Sequence, residues 1–445
     1  MGKKLGFGII GLILIAAAYS FFTHGSAQII ENAKQHLNTQ LATLEQSGFS
    51  IKERKSEKKT DHFVISFDDP QKVSRYLNTQ GAEMTQEEAE ALKGLQVGVD
   101  AAYLPDSYSA LSLDLYPTAL PKSMMEDLGD EDKKLIAAIK KMLKEKAFLI
   151  HIDFNKMLSG FKGYVKDINK TVTDDGESVN IAANGMTFKG DIQQGKVHTF
   201  SQKIALISLD AGKALEVNAS NIVGGYSMTG KTPYDITSHY QIRSVWVQAE
   251  PSFSLNAENI ENETKNSVHN GLLKSTIRTK AEKIAIAQAQ QKDTIERVRL
   301  DFNVDHLDIA VLEALQKTDP EDEAHIQALT QQLLSKGITL TLSDFSAGRI
   351  IQDGTAMDGF DMNGSLSVDS TFNAAAASQN PLLALDALHV QTHVSISNEL
   401  YALMVQDPRA MIMMMMLPPA SQKGKKIYDI HFSKGKLSVN GKPIL

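Results

Sequence analysis

The chain has 445 residues, 42% of them hydrophobic and 22% charged, with a formal net charge of −7 and no cysteine. That balance leaves no electrostatic footprint for nucleic acid, which is held mainly by basic patches. Without cysteine there is neither a lipidation thiol nor a disulfide framework, so stability has to come from buried apolar area, for which the length allows one elongated or two compact domains.

Leu5 to Phe22 is apolar and uncharged, follows Lys3 and Lys4, and has about the length that crosses a bilayer core as a helix. It reads as a signal-anchor. The positive-inside tendency puts the two lysines in the cytoplasm and the rest of the chain on the other side, which predicts a single-pass protein of the bacterial inner membrane with its body in the periplasm. Cleavage after Ala27 is the alternative, because Gly25-Ser26-Ala27 offers small residues, although the apolar run exceeds the usual signal-peptide core of about 7–15 residues.

Beyond the anchor, residues 28–46 carry Ile29, Ile30, Ala33, Leu37, Leu41 and Leu44 in helical recurrence, which predicts a stalk continuing outward. The charged run 52–59 reads as a solvated turn or strand. Thr85 with Glu88 forms a capping-box pattern opening a helix through Ala91, and Leu135, Ile136, Ile139, Met142 and Leu143 predict another. Period-two alternation then takes over. Phe148, Ile150, Ile152 and Phe154 alternate with His151 and Asp153, and the pattern returns at Val298 to Val304 and at Leu388 to Ile396. In the two later cases Asp305 or Ser397 is placed to cap a following helix, 306–317 or 398–405. Ile326, Leu329 and Leu333 predict a helix ending at Gly337, and Tyr428 to Val439 predicts a hairpin about Lys434-Gly435. The expected fold is α+β, a large and mostly antiparallel β-sheet body with short helices behind one transmembrane helix. Its expected parts are a tip and anchor (1–27), a mixed region with the stalk (28–147) and a β-rich region (148–445).

Four patterns invite chemistry. Gly225 to Thr232 satisfies the phosphate-loop expression, but Pro233 and the strand-like Tyr234, Ile236, Ser238, Tyr240 and Ile242 follow where a helix would have to open, so a glycine-rich turn is expected instead. His389 and His393 fall on a predicted strand, where four residues span roughly 13 Å, too far for one metal ion. Met411 and Met413 to Met416 suit adaptable packing better than a coordination sphere. Asp174-Asp175-Gly176 and Lys423 to Lys426 read as exposed turns, the first without the other positions of a calcium loop. No catalytic, cofactor-binding or metal residue is assigned.

The anchor, the strand-then-helix units 298–315 and 388–404, and the closing segment Ile427 to Lys442 with its Gly435 turn and Leu437-Ser-Val-Asn-Gly441 together resemble the YdgA-like family of uncharacterised bacterial envelope proteins. The resemblance implies an envelope location and supplies no active site. The expected function is that of a membrane-anchored periplasmic binding or scaffold protein whose partners are the inner membrane, lipid or lipoprotein, and other envelope proteins. A hydrolase assembled from dispersed Ser, His and Asp residues is the alternative.

Overall fold

The computed structural model describes residues 31–79, 84–127, 133–174, 177–193, 196–318, 322–373, 385–407, 411, 414 and 417–444. The expected anchor and the cleavage position after Ala27 lie outside them. Among the described residues no helix is long and apolar enough to cross a membrane. The chain divides between Val223 and Gly224 into two compact units.

The first unit runs α1 (Glu31–Gln46), β1 (Phe49–Ser56), β2 (Thr60–Phe67), α2 (Pro70–Thr79), α3 (Gln86–Ala91), β3 (Gln96–Tyr103), β4 (Ser109–Ala119), α4 (Lys122–Asp127), α5 (Lys133–Lys144) and β5 (Ile150–Asn155), then β6 (Gly160–Val165), β7 (Ile168–Asp174), β8 (Glu177–Asn184), β9 (Thr187–Gln193), β10 (Lys196–Asp210) and the start of β11 (Leu215–Met228). Strands β1 to β6 pair antiparallel in chain order. Alternate residues of this sheet, among them Phe63, Val99, Leu113, Leu115, Ile152 and Phe154, form one buried face, and helices bury their own apolar stripes against it. Thr85 and Glu88 do form the reciprocal cap of α3.

The expected stalk is corrected here. Leu37, Leu41 and Leu44 of α1 are buried in the core of the first unit, because three leucines spaced along one helical face meet an apolar sheet that would otherwise be wet. The 52–59 run is mostly the exposed end of β1, as expected of a solvated strand.

The second unit is a meander of long strands: β12 (Ile236–Ala249), β13 (Phe253–His269), β14 (Leu272–Gln288), β15 (Gln291–Asp308), α6 (Ile309–Lys317), α7 (Glu323–Leu334), β16 (Thr339–Gln352), β17 (Thr355–Val368), β18 (Leu388–Ser397), α8 (Asn398–Met404), β19 (Ala420–Gln422), β20 (Lys425–Ser433), β21 (Lys436–Val439) and β22 (Lys442–Pro443). Each strand from β12 to β18 pairs antiparallel with the next, and β20 lies between β18 and the pair β19 and β21. Several hairpins close on two-residue turns with both residues left-handed, as at Lys434-Gly435 (φ 50° and 68°) and Asn440-Gly441 (φ 50° and 73°), the backbone that matches strand twist. Ser397 caps α8 as expected. Asp305 does not cap α6: β15 continues to Asp308, which caps it, while Asp305 pairs with Lys274 on the neighbouring strand. Local capping propensity yields there to three more residues of sheet pairing.

A bend line crosses the second unit's sheet. Asn259 in β13 and Arg297 in β15 are left-handed (φ 51° and 55°), and beside each of them the ladder skips one pair toward the preceding strand and two toward the following one. Asn221 in β11 has the same conformation, and the three stand at equal spacing along the chain. At this line the apolar alternation steps by one residue. Leu255 and Ala257 precede it in β13 and Ile260 follows; Ile295 precedes it in β15, and Val298, Leu300 and Phe302 follow. Met357 and Ile350, from one side of the line, share a cluster with Phe360, Ile396 and Tyr428 from the other. The step therefore keeps the apolar residues on one physical side while the chain turns. Ala257, Ala281 and Ala347, which flank the line, are buried although the larger side chains beyond them are half-exposed, which places small residues in the angle of the bend.

Candidate binding surface

Cross-strand register assigns every side chain of the second sheet to a face. The apolar side, beyond the bend, is built from Tyr240 and Ile242 (β12), Ile260 (β13), Ile277 (β14), Val298, Leu300 and Phe302 (β15), Leu340, Leu342 and Phe345 (β16), and their partners in β17, β18 and β20. Among the described residues, no charged residue lies on this side beyond the bend from β12 to β18, and in β20 the one charge is Lys426, opposite Ile396 and over the Tyr401 ring of α8. Among its few polar members, Asn262 donates to Thr279 at 2.9 Å and Ser275 donates to Asn266 at 2.8 Å. The described helices cover only part of it, α8 packing on β17, β18 and β20, and α6 against the end of β15. Tyr240, Leu300 and Phe345 remain 37–38% exposed. A large apolar surface that stays partly wet and carries almost no charge is the property of a recognition surface for apolar matter.

The opposite side is polar. Arg278 bridges Asp301 (3.1 Å) and Glu263 (3.9 Å), and Lys280 meets Glu261 at 2.8 Å. Toward β21 the charges give way to neutral groups. One row runs straight across five strands as Thr341, Ser365, Gln391, His431 and Ser438, each opposite the next. A second row is Asn363, His393 and Asp429. Together they line a groove of about 490 Å³.

The patterns met in the sequence resolve as follows. After Met228 the phosphate-loop match forms an irregular loop and β12 begins at Ile236, with no helix between. The Asp235 carboxylate occupies the loop, accepting from the Thr232 hydroxyl (2.7 Å), the Thr232 amide (2.9 Å) and the Val268 amide (2.7 Å). These bonds, the Thr232 hydroxyl foremost, hold its pKa below the usual carboxylate range. An anion already sits where a phosphate would have to. His389 and His393 each turn to a separate cross-strand partner, Ser433 at 2.8 Å and Asp429 at 2.6 Å. The Lys423-Gly424 turn is exposed, Asp175 and Gly176 lie outside the described residues, and of the methionine run only Met411, exposed, and Met414, buried, lie within them.

One polar network was not read from the sequence. In the first unit His62 of β2, Asp100 of β3, Asp114 of β4 and His151 of β5 form a row on the face away from the core. His62 contacts Asp100 at 2.6 Å and His151 contacts Asp114 at 2.6 Å, while Lys146 donates to Asp100 at 2.7 Å and lies 3.8 Å from the Tyr116 ring centroid. Burial pushes Asp100 up, but hydrogen bonds from Lys146, His62 and Tyr116 outweigh it and leave the carboxyl below its ordinary value. Ser112 donates to Asp153, which also lies 3.2 Å from His151 Nε2. A nucleophilic triad needs the imidazole on the hydroxyl, whereas here the carboxylate stands between them. The signal was present as His151 and Asp153 on one face of a strand, but their partners come from strands tens of residues away. No group of three or more His, Asp or Glu among the described residues is arranged to hold a metal ion.

No curated protein matches the chain. A family model does, the bacterial proteins of unknown function called DUF945, over residues 127–445, which takes in the last part of the first unit and all of the second. With that model spanning well over half of the chain, this protein belongs to the DUF945 family.

Proposed function

We propose that this chain is a membrane-anchored envelope protein, its body in the periplasm, that holds lipid acyl chains along the apolar side of its second sheet. The observation that carries the reading is the apolar side, free of charge from β12 to β18 among the described residues, that the one-residue step at the bend keeps continuous. An acyl chain asks for no hydrogen bond and no counter-charge, and this surface offers neither; a protein partner would ordinarily bring a polar rim to be matched. Leu5 to Phe22 with its flanking lysines supports the anchor and its orientation. Within the DUF945 family, the closing hairpin 427–442 supports a place among the YdgA-like members.

The test uses the full chain in cells, with a photoreactive phenylalanine analogue at Phe345 or Leu300 and, for comparison, at Lys265 on the polar side. Lipid adducts from the first two positions alone are expected. Adducts only to protein, whether a second copy or another envelope protein, would replace lipid holding by scaffolding. Protease digestion of the body in intact spheroplasts checks the orientation, and protection there would overturn it.

A further inference from the structure

The polar side of the second sheet carries an arrangement that lipid holding does not use. Thr341, Ser365, Gln391, His431 and Ser438 stand side by side on β16, β17, β18, β20 and β21, and Asn363 lies two residues along β17 from Ser365. None of these six side chains makes a hydrogen bond to another described residue. Elsewhere on the same side, polar groups are consumed in pairs: Thr276 donates to Asn303 at 2.7 Å, Asn303 to Ser343 at 3.0 Å, and His389 contacts Ser433 at 2.8 Å. Donors and acceptors left open in register on five adjacent strands make a ladder with a repeat of about 4.8 Å across the sheet and about 6.8 Å along it.

We infer that this groove binds a neutral oligosaccharide of N-acetylated sugars lying across the strands. Two observations select that class. Of the groove's side chains only Asp429 is a carboxylate, and it is held by His393 at 2.6 Å, so the surface is close to neutral and has nothing to recruit a polyanion. The hydroxyls of Thr341, Ser365 and Ser438 both donate and accept, as sugar hydroxyls do, and the amides of Asn363 and Gln391 match an acetamido group, donor to acceptor in each direction. A single carboxylate also limits the groove to binding, because glycoside cleavage ordinarily requires two. The inference does not rest on lipid holding, which uses the other side of the sheet.

The test is isothermal titration of the full chain with chitohexaose in a zwitterionic detergent, which avoids sugar head groups. Saturable binding is expected, with an affinity reduced at least tenfold by the double variant Gln391→Ala/His431→Ala and unchanged by Lys274→Ala, which lies on the same side outside the groove. Both substituted side chains are exposed, and an unaltered unfolding midpoint will show that the fold is intact. No saturable binding, binding that the double variant leaves intact, or a preference for maltohexaose over chitohexaose would each overturn the assignment.

Discussion

The two units spend their apolar residues differently. In the first, β2 to β5 press one face against helices, so that Phe63 and Leu95 are completely buried and the other face carries His62, Asp100, Asp114 and His151. In the second, strands as long as 18 residues form a sheet whose large side chains stay half-exposed, with a buried cluster only where α8 packs near Met357, Ile396 and Tyr428. Both use the same alternation. The lesson is that apolar patterning specifies which side is apolar and leaves open whether the protein itself covers it.

That contrast breaks most directly by truncation. Phe63→Ala should destabilise the first unit by about 3–5 kcal/mol, whereas Leu300→Ala should cost about 1–2 kcal/mol, because Leu300 keeps 37% of its surface in water and no closed cavity is left behind. Denaturant titration of each variant checks this, and equal costs would mean that the apolar side of the second sheet is covered after all. Next in size is the bend. Gly359→Ala would place a Cβ 1.8 Å from the Ala347 carbonyl oxygen and should cost about 2–3 kcal/mol. Asn259→Ala should cost about 1 kcal/mol and Asn259→Gly almost nothing, since the loss is that of a left-handed residue.

A charge sharpens the comparison without unfolding the chain. Leu300→Glu should abolish lipid adducts from position 345 while moving the unfolding midpoint only slightly, because the side chain has water beside it; a variant that unfolds instead would assign Leu300 to a core. The smallest effect is a pH dependence. Asp235 has a folded-state pKa below its unfolded one, so its contribution is fully present above the ordinary carboxylate range and is lost as the pH falls through the lowered value. Asp235→Asn should therefore flatten the acid limb of stability and leave the neutral region with a modest loss. An unchanged acid limb would mean that its bonds to Thr232 and Val268 do not persist in solution.

Much of the fold was legible locally. The cap of α3, the helix ending before Gly337, the Ser397 cap and the Lys434-Gly435 and Asn440-Gly441 turns each depend on a few adjacent residues, and each stands where those residues put it. The end of β15 was missed because Asp305 has the side chain of a cap but also a sheet partner in Lys274, and only pairing decides between them. The groove was visible only as scattered Ser, Thr, Asn, Gln and His residues, since Thr341 and Ser438 meet through three intervening strands.

By itself the sequence determined which positions alternate, where the chain turns, and that the phosphate-loop expression at Gly225 to Thr232 precedes a strand. These follow from side-chain chemistry and short-range backbone preference, which act within a few residues. Only the tertiary structure decided that α1 packs into a core, that one apolar side is buried by helices while the other stays open, and that six unpaired polar groups share one groove. Register and layer contact join residues far apart in the chain, and no local preference encodes which strand becomes whose neighbour.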